Sequence, residues 1–478
     1  MSFILKNAKL FLSITAISLT LMSQKTRNGL IVAILVVSLF LAAFAAKEFI
    51  GRTSLPTSSS TPTPQASSTL SPSLSSQPTF SPSPSMSPSP TATASAADYL
   101  AQCQKDLAEA KIFDEKTRNI TLNDANVVVV SQAWAIQTWG EGGAAPDIVD
   151  INRTERIYKG LFLMPENASL YQATVDWAGY FISAVWNGQI YVITENFNPW
   201  STDAAATFAH ELTHIMQGQY YGNVPQYQYT FDATHAHTAL IEGDANYMES
   251  LFQNATKTQA STAASPQTKP VVPWSLVGDP MLVTIQASIP NSVADFDYFP
   301  YTYGPTFIGA LYDQGGWSFV NKAYSDPPNT TQQILQSEKY FQGVGAQQIQ
   351  SPALSETGWV QEKADSYGEY FIQDMLGNWI PKTDAQTVAS SWSGDKLNYY
   401  ERQNDYLFTW KIQWNSTDSA SAFATAFGKM MTATNATRQV TGDWYANGRY
   451  LSFEWDPTSN TTVIVCSTNE TSTLQTLT

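Results

Sequence analysis

Histidine and cysteine are scarce in this chain, with four histidines and two cysteines among 478 residues. Cys103 and Cys466 are too few for a disulfide framework, and they lack the spacing of a cysteine metal site. They could close one bridge between the ends of the folded region or stand as two unrelated buried thiols. Basic residues are also short, 25 Lys and Arg against 40 Asp and Glu, for a net charge of -15 and a pI near 4.7. That balance argues against a nucleic-acid partner, whose phosphates need a basic surface. It implies chiefly solubility. From Thr53 to Ala97 charge is missing altogether, and the segment is mainly Ser, Thr, Pro and Ala. Such a composition cannot bury enough apolar surface to offset the entropy of ordering, so it predicts a disordered stalk. What is present in quantity is apolar and aromatic: 43% hydrophobic content is ample for a large core.

Gly29 to Ala46 is an uncharged apolar run of 18 residues, long enough to span a bilayer as a helix. Lys25 and Arg27 precede it, so the positive-inside bias predicts a cytoplasmic N-terminus and an outward-facing remainder. The small residues Ala42 to Ala46 leave a cleaved signal peptide as the alternative. Leu10 to Met22 is a weaker apolar stretch. Met22 would open a more ordinary signal anchor, whereas a second span would reverse the topology. Nine N-x-[S/T] sequons follow the stalk, at Asn119, Asn152, Asn167, Asn254, Asn329, Asn415, Asn435, Asn460 and Asn469. They mark potential surface glycosylation outside the cell.

The folded part is expected to be α+β. The organisation read from the pattern is an anchor region at 1–52, a stalk at 53–97, a main domain at 98–388 and a small α+β unit at 389–478. Ala97 to Lys116 reads as a helix and Asn126 to Val130 as a buried strand. Phe181 to Trp186 and Gln189 to Thr194 read as strands joined by Asn187-Gly188, a two-residue hairpin signal. Helices are predicted at Thr202 to about Tyr220, Ala233 to Gln253, Phe307 to Tyr324, Thr330 to Tyr340 and Trp359 to Leu376, with a polar loop from Thr256 to about Pro273. In the tail, Tyr406 to Trp414, Arg449 to Glu454 and Thr462 to Val465 alternate as strands around a helix at Ser419 to Thr432.

All four histidines lie between 210 and 237, and two of them form His210-Glu211-Leu212-Thr213-His214 inside a helical pattern. Histidines four apart share a helix face, so both imidazoles can reach one ion. The adjacent Glu211 then lies near the open coordination position, where it can act as general base on a metal-bound water. Catalytic zinc commonly takes a third protein ligand. The residues leave Glu242, Asp244, His235 and His237 as candidates. Glu242 opens Glu-Gly-Asp-Ala on the next helix, 28 residues past His214. His235 shares a face with Glu242 and could be a supporting group or a competing ligand, while His237 points elsewhere. Asp244 and Asn246 are expected to orient a ligand histidine by accepting its other N–H. A hairpin edge strand beside the motif helix could receive an extended peptide.

The stretch A-H-E-L-T-H-I-M-Q-x-Q followed by A-L-I-E-G-D-A resembles the gluzincin metallopeptidases, especially a group of little-characterised bacterial and archaeal zinc peptidases. The likeness includes Ala178-Gly179-Tyr180-Phe181, Gly188 to Val192, Tyr301-x-x-Gly304-x-x-Phe307, Gly315-Gly316-Trp317 and Pro327-Pro328, and spans roughly residues 155 to 345. It implies a gluzincin-like fold holding one Zn2+ on His210, His214 and Glu242, with Glu211 as base and a peptide or protein as substrate. Tyr301-x-x-Gly304 is similar to the stretch that supplies a transition-state tyrosine in some gluzincin aminopeptidases, which makes Tyr301, or less directly Tyr303, the expected oxyanion donor. Endo- and exopeptidase activity are both open. The competing reading is a catalytically silent cell-surface zinc-binding or scaffold protein, which the intact Glu211 disfavours. Metal capture by His235-x-His237 is disfavoured by the lack of a longer His tract.

Overall fold

The described residues of the computed structural model are 95–222, 229–260 and 289–470, except positions 353, 355 and 457. The expected span at 29–46 and the stalk before residue 95 lie outside them. Among the described residues no helix is long and apolar enough to cross a membrane.

Helix α1 (Ala96–Arg118) starts on a capping box. Ser95 Oγ accepts from the Asp98 N–H, and the Asp98 carboxylate accepts from the Ser95 N–H, so two otherwise orphaned donors are satisfied. Strand β1 (Val127–Val130) is followed by short helical turns and then by α2 (Ile148–Gly160) and α3 (Leu170–Trp177). The hairpin of β2 (Ser183–Trp186) and β3 (Gln189–Ile193) turns on Asn187 (φ 53°) and Gly188 (φ 70°). Both positions need the left-handed region, which Asn and Gly supply at least cost. The sheet order is β1-β3-β2, with β1 parallel to β3 and β2 antiparallel at the edge.

Side chains alternate across these strands. Ile190 and Val192 pack under helix α4 (Ala204–Tyr220) and α1, together with Phe208, Leu212 and Cys103. Ala184, Tyr191 and Ile193 face the other way, onto Ala135 and Trp139. The motif helix therefore lies on one face of the sheet, beside its free edge.

Helix α5 (Phe231–Ala260) lies against α6 (Asn291–Ala323) at two glycines. A Cβ on Gly304 would sit 2.3 Å from the Ala239 carbonyl oxygen, and one on Gly243 would sit 2.5 Å from the Gly304 carbonyl carbon. Only hydrogens allow backbones this close. The α6 helix carries Pro300 and Pro305 within it and breaks at Gly315-Gly316, where Gly316 has φ 62°. Beyond it come α7 (Thr331–Leu335), α8 (Ser337–Phe341), β4 (Val360–Asp365), α9 (Gly368–Gly377), α10 (Lys382–Ala389), β5 (Trp392–Arg402), β6 (Asp405–Trp414), α11 (Thr417–Ala433), β7 (Thr437–Arg438), β8 (Trp444–Ala446), β9 (Arg449–Trp455) and β10 (Thr461–Ser467). The second sheet is antiparallel throughout, in the order β4-β5-β6-β10-β9-β8-β7.

The architecture is thus mixed α and β, with several departures from expectation. The helix expected over Trp359 to Leu376 is a strand followed by a shorter helix. Val360–Asp365 alternates and pairs with β5, and Gly368, at φ 77°, turns the chain into α9. The Asp395 carboxylate accepts the Tyr367 and Gly368 N–H groups at that turn. Because β4 joins the C-terminal sheet, that sheet begins well before residue 389. The α6 helix starts 16 residues before the expected Phe307, because its prolines are tolerated within a buried helix. The predicted Thr330–Tyr340 helix divides at Gln336 (φ -129°, ψ 76°). The α5 helix runs through 256–260, the start of the expected polar loop, and 261–273 lies outside the described residues. Cys103 and Cys466 are free and buried in different clusters, so no bridge joins the ends.

Candidate metal centre

Helix α4 presents His210 and His214 one turn apart, and α5 brings Glu242 against them. His210 Nε2 and His214 Nε2 are 3.1 Å apart, and each lies 3.4 Å from Glu242 Oε2. These separations fit the edges of a tetrahedron, which measure about 3.3 Å when ligands stand ~2.0–2.1 Å from a zinc ion. Glu242 is 2% exposed, and its Oε2 has no hydrogen-bond partner. A buried carboxylate oxygen facing two imidazole nitrogens is costly unless a cation satisfies it. Two nitrogens and one oxygen form a donor set suited to zinc. Among the described residues this is the one group of His, Cys, Asp or Glu placed to hold an ion. Burial alone would raise the Glu242 carboxyl, but the two histidines hold it well below the usual carboxylate range.

Glu211 points from α4 toward the sheet edge. Its Oε1 accepts from Ser183 Oγ of β2 at 2.7 Å, and its Oε2 has no partner among the described residues. Burial raises its carboxyl, against the opposing pull of His210 and His214. A base of raised proton affinity with one anchored oxygen and one free oxygen suits proton transfer. Tyr301, on α6, hydrogen-bonds the Glu242 carboxylate and is also within electrostatic reach of Glu211. Burial, then those carboxylates, hold its phenol well above its ordinary value, so it is a donor at neutral pH. Asp297, one turn earlier on α6, is pushed up to about 7 by burial.

The remaining expected residues fall elsewhere. Tyr303 packs on Phe299 and Tyr370 and bonds Gln373, which removes it from the site. Neither His235 nor His237 joins the cluster. His235, two helical turns before Glu242, bonds the Phe231 carbonyl through Nδ1 at 2.7 Å and packs against the Phe231 ring. His237 is 3% exposed with neither ring nitrogen partnered among the described residues. Asn246 Nδ2 lies 3.5 Å from the Tyr301 carbonyl rather than at a ligand histidine. Asp244 was expected to accept directly from a histidine ligand. It instead pairs with Arg118 at 2.7 Å and accepts from Tyr324 at 2.7 Å, because it points to the α1 side of α5. The acceptor for His214 Nδ1 is Gln217 Oε1, at 2.9 Å. His210 Nδ1 has Glu249 at 3.6 Å.

Gln217 was legible, since it sits three residues past His214 on the same helix. Glu249 follows Glu242 by two turns on α5. Ser183, Arg118 and Tyr324 carry no local signal, because tertiary packing brings them in. Asp114, also unforeseen, is 2% exposed with both carboxylate oxygens unpartnered among the described residues. Burial drives its carboxyl well above the normal range, despite Arg118 nearby.

The profile of a family described as a domain of unknown function, DUF8575, matches residues 356–478. The match takes in β4 and the rest of the second sheet and leaves out every residue of the metal centre. No curated protein matches the chain, and no solved structure does.

Proposed function

We propose that this chain is a zinc-dependent metallopeptidase, with one Zn2+ held by His210, His214 and Glu242. The observation that carries the reading is the convergence of those three ligand atoms beside an anchored Glu211 carboxylate. Zinc at that position supplies Lewis acidity, lowering the pKa of the attacking water and polarising the scissile carbonyl. Glu211 takes the proton of the water through its free Oε2 and returns a proton to the leaving amine, while Ser183 holds Oε1 in place. The Tyr301 hydroxyl donates to the oxygen that gains negative charge as the carbonyl is attacked. Among the described residues β2 pairs only with β3, so its other edge offers backbone groups to an extended peptide. The intact base weighs against a silent zinc-binding surface protein, because a purely structural ion needs no proton acceptor.

The apolar run at 29–46 and the uncharged stalk support a single-pass membrane anchor with the peptidase outside the cell, and the sequons support a glycoprotein. Protease treatment of intact cells should release a fragment that begins after about residue 53. For the activity itself, the zinc-loaded protein should release new amino termini from a peptide mixture. Chelation should stop that release and added zinc should restore it. Release unaffected by chelation would rule the reading out.

A further inference from the structure

Four helices meet behind His214 through an unbroken series of buried hydrogen bonds. His214 Nδ1 lies 2.9 Å from Gln217 Oε1. Gln217 Nε2 donates to the Ile241 carbonyl at 2.9 Å and to the Tyr324 hydroxyl at 3.0 Å. Tyr324 donates to Asp244 Oδ2 at 2.7 Å, and Arg118 donates to Asp244 Oδ1 at 2.7 Å. Arg118 is fixed in turn by Asn321 Oδ1 at 2.9 Å and by the Trp317 ring, 4.0 Å from its guanidinium carbon. The Tyr324 ring stacks on Tyr221 with centroids 4.1 Å apart.

The chemistry fixes the direction of every bond. A carbonyl can only accept, so Ile241 must face the amide nitrogen of Gln217, and this settles which end of the amide meets His214. Asp244, held ionised by Arg118, can only accept, so Tyr324 must donate to it and its oxygen is left to accept from Gln217. Gln217 Oε1 can then meet only an N–H, so the His214 proton sits on Nδ1 and the lone pair on Nε2. Nε2 is the atom that faces His210 and Glu242.

We infer that Arg118, Asp244, Tyr324 and Gln217 are positioning residues that hold the His214 imidazole in the tautomer and orientation a metal ion requires. The inference rests on the metal reading above and extends it to residues from α1 and α6 that lie outside the motif. It also gives a reason for a buried ion pair so close to the site. Arg118 and Asp244 have side chains 2% and 0% exposed, and such pairs contribute little net stability on their own.

The test is the zinc affinity of the full chain, by competition with a chromophoric chelator, for Gln217→Met, Tyr324→Phe and the double variant. The visible spectrum of the cobalt(II)-substituted protein is read alongside. Removing a group that orients a histidine ligand typically weakens metal binding about 10–100-fold, and that loss is expected for Gln217→Met. Tyr324→Phe keeps the ring stacked on Tyr221 and should also weaken zinc binding and alter the cobalt bands. In the Gln217→Met background it should add almost nothing, because Tyr324 acts through Gln217. If Gln217→Met does not fold, Tyr324→Phe alone carries the test. Lower unfolding midpoints with wild-type zinc affinity would overturn the inference and leave the peptidase reading standing. So would additive losses in the double variant. A wild-type protein that binds no zinc would overturn both.

Discussion

Each functional side chain here has a neighbour that restricts what it can do. Tyr301 is a neutral donor because the carboxylates around it disfavour its ionised form. Tyr301→Phe should keep zinc and lose about 10²–10³-fold in kcat, as loss of one oxyanion donor does elsewhere, with KM little changed. Steady-state kinetics on a cleaved peptide would check it. His237 is restricted differently, since burial without a partner lowers its pKa to about 4. An unfolded histidine titrates near 6.5. Between those values the unfolded chain binds the extra proton, so this contribution to stability is full above about pH 6.5 and lost as pH falls through 4, up to about 3 kcal/mol. The gap in urea midpoint between the wild type and His237→Leu should therefore shift in favour of the variant as pH falls from 7 to 4. His210, Glu211, His214 and Glu242 were legible because local spacing carries them. Ser183, Arg118 and Tyr324 were not, because each reaches the site from a separate element.

At the scale of elements, the site depends on how closely α5 and α6 approach, since one brings Glu242 and the other Tyr301. Gly304→Ala tests that approach. Alanine in place of a helical glycine gains up to about 1 kcal/mol in propensity. Its methyl would stand 2.3 Å from the Ala239 carbonyl, and backbone cannot yield as a side chain does. The clash should win, with a net loss of about 1–3 kcal/mol in urea unfolding and weaker zinc binding. The hairpin and the motif helix were readable because Asn187-Gly188 and the apolar spacing are local signals. The strand at Val360–Asp365 was not readable. Its partner β5 lies thirty residues further on, and the apolar pattern of Tyr370 to Leu376 invited a helix to be extended backward across Gly368.

Across the whole molecule, one large apolar cluster runs from α2, α5 and α6 into the second sheet, joining Phe296 and Phe371 to Trp410 and Phe423. Phe371 stacks on Phe296 and meets Trp410 edge-on. The expected boundary near residue 389 therefore passes through a shared core. A chain ending at 388 should fail to give a cooperative thermal transition, because it exposes that core to water. The rest of the account converges on Glu211, which should be needed for turnover and not for the metal. In the zinc-loaded Glu211→Gln protein, zinc content should match the wild type while peptide hydrolysis falls about 10²–10⁴-fold. Hydrolysis at the wild-type rate with zinc in place would contradict the account.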